Sequence, residues 1–255
     1  MNVYEFFEML KKFYPDELSC PWDNDGIDVT PGGVREVSRV LVALDATEEA
    51  INYAASNGFD TLLVHHPLIF SPLGAITPER NASRKAIFAL MNDITVISLH
   101  TRLDAGEGGV NDCLAEALGL KNVSKFGDDE SPDCGRIGEI ESEMDVERFA
   151  GYVKEMLGSP SVALSSIGDE TVRRVAVVGG AGKDFIDAAR RAGADVLVTG
   201  EASYNSIIDA AEDSLPVICA GHYHTERVVL PRLAELAVDA GAEYELFYNT
   251  TVKVI

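Results

Sequence analysis

DTLLVHHP (60–67) and ADVLVTGE (194–201) decide the fold. Each is a short apolar run rich in Leu and Val, preceded by a glycine turn and closed by polar groups, which reads as a buried strand. An offset of 135 residues lays NGFDTLLVHH over AGADVLVTGE, matching Asp60 with Asp195 and Leu62 with Leu197. Outward from the first run, VSRVLVALD (37–45) is a strand, Thr47 to Gly58 a helix, Arg84 to Met91 a helix, ITVISLH (94–100) a strand and Gly109 to Gly119 a helix. Outward from the second, VRRVAVVGGAG (172–182) is a strand closed by a glycine turn and Phe185 to Ala192 is helical. A short helix, the strand LPVICAGH (215–222) and a long helix from about Glu226 to Ala240 follow. The pattern predicts an α/β protein with two similar α/β lobes from an internal duplication, largely parallel strands and right-handed crossovers.

The polar, glycine-rich stretch KNVSKFGDDESPDCGRIGEIESE (121–143) reads as a lobe boundary or exposed loop, before a helix from Met144 to Leu157. The expected division is 1–125 plus about 215–255 as the first lobe, carrying most of the candidate ligands, with about 126–214 as an inserted second lobe. At the N-terminus, Val3, Phe6, Phe7, Leu10 and Phe13 recur at helical spacing among charges. That is an amphipathic helix without the apolar run or cleavage site of a secretory signal. No stretch approaches the roughly 18–20 apolar residues of a membrane span. A cytoplasmic location is the expectation.

The 255 residues carry a net charge of −21, and no basic run interrupts it. Nucleic-acid binders present a basic patch or stripe, so direct DNA binding is not expected. The four cysteines, Cys20, Cys113, Cys134 and Cys219, form no CxxC pair, which leaves a zinc ribbon or thioredoxin-like motif without support.

Chemistry concentrates in the histidines. There are five, His65, His66, His100, His222 and His224, and all follow apolar strands at the entry to helices. Ligands of open α/β sheets gather at those carboxyl ends. Adjacent side chains of an extended segment point to opposite faces, so His65 and His66 suit two ions more easily than one. His100-T-R-L-Asp104 and His222-Y-H-T-Glu226 each place an acid four residues after a histidine, on one face of a first helical turn. Imidazole with carboxylate and no thiolate suits Zn²⁺, Fe²⁺, Mn²⁺ or Co²⁺. A paired site needs a bridging group, for which a glutamate carboxylate is natural. Against this, His66-Pro67 could be a turn and Asp104 a helix cap, which leaves the remaining histidines unexplained.

HHPLIF (65–70), HTRLDAGEGGVND (100–112) and GHYHTE (221–226), with PWDNDGI (21–27) and VTGEASYN (198–205), resemble the dinuclear-metal-centre family labelled GTP cyclohydrolase I type 2 homologues, also called the NGG-interacting-factor family. The resemblance implies two similar α/β lobes with a two-metal site between them, and a ring-shaped homohexamer. Carried over by position, it implies His65, His66, Asp104, His222 and Glu226 as ligands, Glu226 as the bridge and His100 at a more variable sixth position. Arg102 departs from a frequent asparagine, and His224 from a small residue. His224 lies two residues from Glu226, so its side chain should point elsewhere.

Two functions are compatible with these residues. One is a metal-dependent hydrolase acting on a nucleotide or phosphorylated small molecule, of the GTP cyclohydrolase type that the family label carries. The other is a non-catalytic metal-binding protein: a regulator, metal carrier or scaffold. Arg102 and Arg227 flank proposed ligands and could receive a substrate anion, or pair with nearby acids. Glu201 could serve as a proton shuttle or gate, or as an acid at a helix N-terminus.

Overall fold

The computed structural model describes residues 1–127 and 133–255, and the chain divides into two compact units. Unit 1 comprises Met1–Gly106 and Leu230–Asn249; unit 2 comprises Glu107–Val229 and Thr250–Ile255. The breaks thus fall at 106/107 and 229/230, against the expected 125 and 215, and His222 and Glu226 belong to unit 2.

Unit 1 opens with α1 (Val3–Phe13), started by a capping box in which Asn2 and Glu5 satisfy each other's backbone amides. Then come β1 (Gly26–Val29), β2 (Arg39–Asp45), α2 (Glu48–Asn57), β3 (Thr61–His66), α3 (Asn81–Met91), β4 (Thr95–Ser98) and α4 (Thr101–Ala105). Unit 2 supplies α5 (Val110–Ala117), β5 (Lys121–Phe126), β6 (Gly135–Asp145), α6 (Val146–Leu157), β7 (Ala163–Ser165), β8 (Thr171–Ala181), α7 (Ile186–Arg191), β9 (Val196–Glu201), α8 (Tyr204–Glu212), β10 (Val217–Cys219) and α9 (His222–Glu226). The chain returns to unit 1 as α10 (Leu230–Asp239) and β11 (Glu243–Phe247).

Each unit holds one sheet, ordered β1-β4-β3-β2-β11 in unit 1 and β5-β6-β8-β9-β10-β7 in unit 2. In both, three consecutive strands are parallel, β2-β3-β4 and β8-β9-β10, and the third of them carries an antiparallel edge strand, β1 or β7. The duplication extends to individual hydrogen bonds. Asp60 Oδ2 accepts from the amides of Ser38 and Arg39, both at 2.9 Å. Asp195 Oδ2 accepts from Arg173 and Arg174 at 2.9 and 2.7 Å, at the same offset of 135. Strand register repeats too, Leu41 facing Leu62 as Ala176 faces Leu197. Leu62, Leu63 and Val64 are fully buried, as are Val196, Leu197 and Val198. Continuous burial without alternation is what a parallel strand covered on both faces requires.

Three expectations are corrected. Within 121–143, residues 121–126 and 135–143 are strand and not exposed loop: β5 and β6 pair antiparallel, and the polar residues of β5 lie exposed at the sheet edge. Residues 128–132 of that stretch lie outside the described residues. VVGGAG does not end β8 in a turn, because the strand runs to Ala181 with an irregularity against β9 between Val178 and Ala181, where Gly180 takes φ +63°. The long helix from Glu226 is broken into α9, a 3₁₀ turn at Arg227–Val229 and α10. Pro231 explains the break, since it has no amide to carry the helical ladder across that point. Among the described residues, no helix is long and apolar enough to cross a membrane.

Candidate metal centre

In unit 1, β3 delivers His65 and His66, and the loop after β4 delivers His100 just before α4. The ring centroids lie 4.7 Å apart for His65–His66, 5.3 Å for His65–His100 and 5.6 Å for His66–His100. Each ring offers a ligand nitrogen within 4.8 Å of the other two. Each also has Nδ1 engaged with an acceptor: the Leu99 carbonyl at 2.9 Å for His65, Asp45 Oδ1 at 2.8 Å for His66 and Asp23 Oδ1 at 2.8 Å for His100. A carbonyl or carboxylate only accepts, so Nδ1 carries the proton and Nε2 keeps its lone pair. That is how metal-ligating histidines are held. Asp104, from α4, approaches His65 Nε2 at 3.6 Å.

Asp45 arrives by strand register, since it ends β2 directly opposite His66. The Asp23 side chain is buried and its second oxygen accepts from the Thr101 amide and hydroxyl, at 3.0 and 2.5 Å. Burial alone would raise the Asp23 pKa, but these bonds and the one from His100 hold it well below the carboxylate range. Burial likewise opposes charge on His100, while Asp23 and the charges of Asp104 and Asp23 raise its pKa. Asp28, beneath the loop that follows His66, accepts from the Leu68 amide at 2.9 Å. Its burial pushes the carboxyl up to about 7.

In unit 2, the i, i+4 spacing of α9 acts as expected, with His222 Nε2 3.1 Å from Glu226 Oε2. His222 Nδ1 contacts Glu201 Oε1 at 3.1 Å. With its Nδ1 proton directed at Glu201, the imidazole can face the Glu226 carboxylate stably only through a second proton or a shared cation. Glycines make room for this pair: a Cβ at Gly180 would overlap Glu226 Oε1 and lie 3.1 Å from His222 Nε2. A Cβ at Gly200 would lie 2.6 Å from the Gly180 carbonyl oxygen and 2.7 Å from the His222 Cα. Asn111 pins the glycine segment, its Oδ1 accepting from the Gly179 amide at 2.7 Å while its Nδ2 donates to the Cys134 carbonyl at 2.9 Å.

The remaining candidates separate. Arg102 is buried; its Nε and Nη2 donate to the two oxygens of Asp25 at 2.7 and 2.8 Å, and Nη1 reaches Asp16 Oδ1 at 2.9 Å. It braces the Asp23–Asp25 segment, whose Asp25 also accepts from the His100 amide at 3.0 Å. Arg227 donates to the Leu157 carbonyl at 2.9 Å and lies over the Tyr223 ring. Glu201 ends β9 and is no helix-terminal acid, since α8 begins at Tyr204 and is capped by Ser203. His224 packs edge-on against Tyr223, 5.5 Å between centroids, and belongs to neither ligand group. Sequence reasoning missed the roles of Asp23, Asp45 and Asn111, although the acid closing VSRVLVALD was a signal for the second.

Two duplicated α/β units whose strands end in histidine and carboxylate define a protein with His/Glu groups fit to bind metal. The family model for DUF34/NIF3 (NGG1p interacting factor 3) matches residues 1–251, and the chain belongs to that family. Among curated relatives, the GTP cyclohydrolase 1 type 2 homolog of Clostridium perfringens is 33% identical over 240 residues, 92% of this chain and 90% of that protein. The homolog so named in Clostridium acetobutylicum is 31% identical over 263 residues, covering 100% and 95%. Among solved structures, a Staphylococcus aureus hypothetical protein superimposes with a TM-score of 0.91 at 25% identity, over 100% and 99% of the two chains. Reduced HcgD from Methanocaldococcus jannaschii gives 0.82 at 29% identity, over 96% and 97%.

Proposed function

We propose that this chain is a metal-dependent hydrolase acting on a nucleotide or phosphorylated small molecule, with two divalent ions of Zn, Fe, Mn or Co per chain. The side chains that would hold them are His65, His66, His100 and Asp104 in unit 1 and His222 and Glu226 in unit 2. The observation that carries this reading is the histidine trio whose Nδ1 atoms are each fixed by an acceptor, which leaves Nε2 of each ring as the ligand atom. A divalent ion supplies Lewis acidity at the reacting oxygen of such a substrate. Glu201, 63% exposed at its side chain, orients His222 and can pass a proton to solvent. The names of the relatives support a nucleotide as substrate. We further propose that the chain assembles as a homohexamer, by resemblance to the family.

A specific observation favours the second reading, a non-catalytic metal carrier, regulator or scaffold. Arg102 and Arg227 are both engaged within their own units, so neither arginine flanking the ligands is set out to receive a phosphate. Incubating metal-reconstituted protein with a panel of nucleotides and phosphoesters separates the two. Turnover that disappears in Glu226→Gln supports the hydrolase; a panel left intact by protein of full metal content supports the carrier.

A further inference from the structure

Trp22, the single tryptophan of the chain, is 54% exposed, and Phe70 is 51% exposed. The two rings meet edge-to-face with centroids 6.2 Å apart. Both also lie edge-on to His100, at 6.4 and 6.0 Å. Aromatic surface left in water forgoes the stabilisation that burial would bring. A floppy loop would explain it, but the segment is pinned on both sides of Trp22. The Cys20 amide donates to Thr101 Oγ1 at 2.9 Å, and Asp23 holds His100 and Thr101. Asn24 Nδ2 donates to the Ile69 carbonyl at 2.5 Å, tying the tryptophan segment to the phenylalanine segment. Leu68, two residues before Phe70, is anchored on Asp28. Some of the same bonds that orient the His100 ring therefore hold two half-exposed aromatic faces beside it.

We propose that Trp22 and Phe70 form a docking platform for the planar ring of the ligand, and that this ring is a nitrogen heteroaromatic such as a purine. The inference rests on the metal reading above and deepens it by naming a substrate class. Aromatic side chains stack on flat heteroaromatic rings, every one of which presents a π-face of its own. With Arg102 committed to Asp25 and Asp16, phosphate recognition does not fall to that side chain, and ring stacking becomes the protein's own means of selecting the ligand.

Because Trp22 is the single tryptophan, its emission reports the platform directly. Zinc-reconstituted protein, its metal content measured on the same sample, is titrated with adenosine and guanosine, which have rings and no phosphate, and with ribose 5-phosphate, which has the reverse. The expected result is saturable quenching by a nucleoside and none by the sugar phosphate. Phe70→Ala should weaken nucleoside binding roughly tenfold or more while metal content stays unchanged. Full metal content with no quenching by either nucleoside overturns the platform and leaves the metal reading standing. Saturable quenching in protein that takes up no metal would uphold the platform and sink the metal reading. If Phe70→Ala alters the oligomeric state and not nucleoside affinity, the aromatic pair is a contact between copies of the chain and the inference fails.

Discussion

Gly180→Ala probes unit 2 without touching a ligand. The substitution adds one methyl group, at φ +63° and in a position that overlaps Glu226 Oε1. Two consequences follow, and they can be measured separately. The left-handed backbone costs an alanine roughly 1–2 kcal/mol, which appears as a loss of stability in metal-free protein. The overlap must then be relieved by moving the Glu226 carboxylate, because the Gly180 amide donates to Thr225 Oγ1 and its carbonyl accepts from Thr199 Oγ1, both at 3.1 Å, and Asn111 holds the Gly179 amide. Disturbing even the groups that orient a ligand weakens metal binding by roughly 10–100-fold, and displacing the ligand itself should cost at least that. Gly193→Ala is the control: its φ is +77° and nothing lies within 4 Å of the added Cβ. It pays the backbone cost alone. Chelator competition gives the metal affinity and urea denaturation the stability. Both variants should lose comparable stability, and only Gly180→Ala should lose metal. Wild-type metal affinity in Gly180→Ala, or equal losses in both, would refute Glu226 as a ligand.

The buried pair of Arg102 with Asp25 should make Arg102→Met costly, by roughly 3–5 kcal/mol in chemical denaturation, since it strands a carboxylate whose side chain is 2% exposed; a loss below 1 kcal/mol would show the pair to be dispensable. Asp28 sets a pH dependence. Its folded pKa of about 7 lies above the usual 3.8, so the stability linked to its proton is complete below about pH 4 and is lost as pH rises toward 7. The decline amounts to at most about 4 kcal/mol, and Asp28→Asn, melted without metal from pH 4 to 8, should flatten it; parallel curves for both proteins would contradict the assignment. Light scattering should report the mass of six chains, and a monomer at micromolar concentration would contradict the hexamer.

The central β-α-β pattern of each unit was legible because parallel strands buried on both faces leave unbroken apolar runs, as in DTLLVHHP and ADVLVTGE. The edge strands were not. KNVSKF pairs with β6 at the sheet edge and buries Phe126 while residues 121–125 stay exposed, so its composition looks like a loop. The break before α10 could have been inferred from Pro231. For the candidate centre, all six ligand candidates stand out by residue type and position after a strand, and the structure brings three histidines together. The carboxylates behind them were harder to see. Asp45 reaches His66 through strand register, and Asp23 reaches His100 across 77 positions of sequence, and neither relation leaves a local pattern. Arg102 illustrates the opposite error: a cation beside a ligand suggests an anion site until its partners Asp16 and Asp25, far away in sequence, are found next to it.

Elemental analysis of protein purified without chelators, repeated after reconstitution with zinc and with iron, tests the account most directly. The proposed ligand set of five histidine and carboxylate side chains or more exceeds what one tetrahedral ion takes up, so the account predicts about two divalent ions per chain. A reproducible value near zero after reconstitution, in protein whose circular dichroism shows it folded, would contradict it.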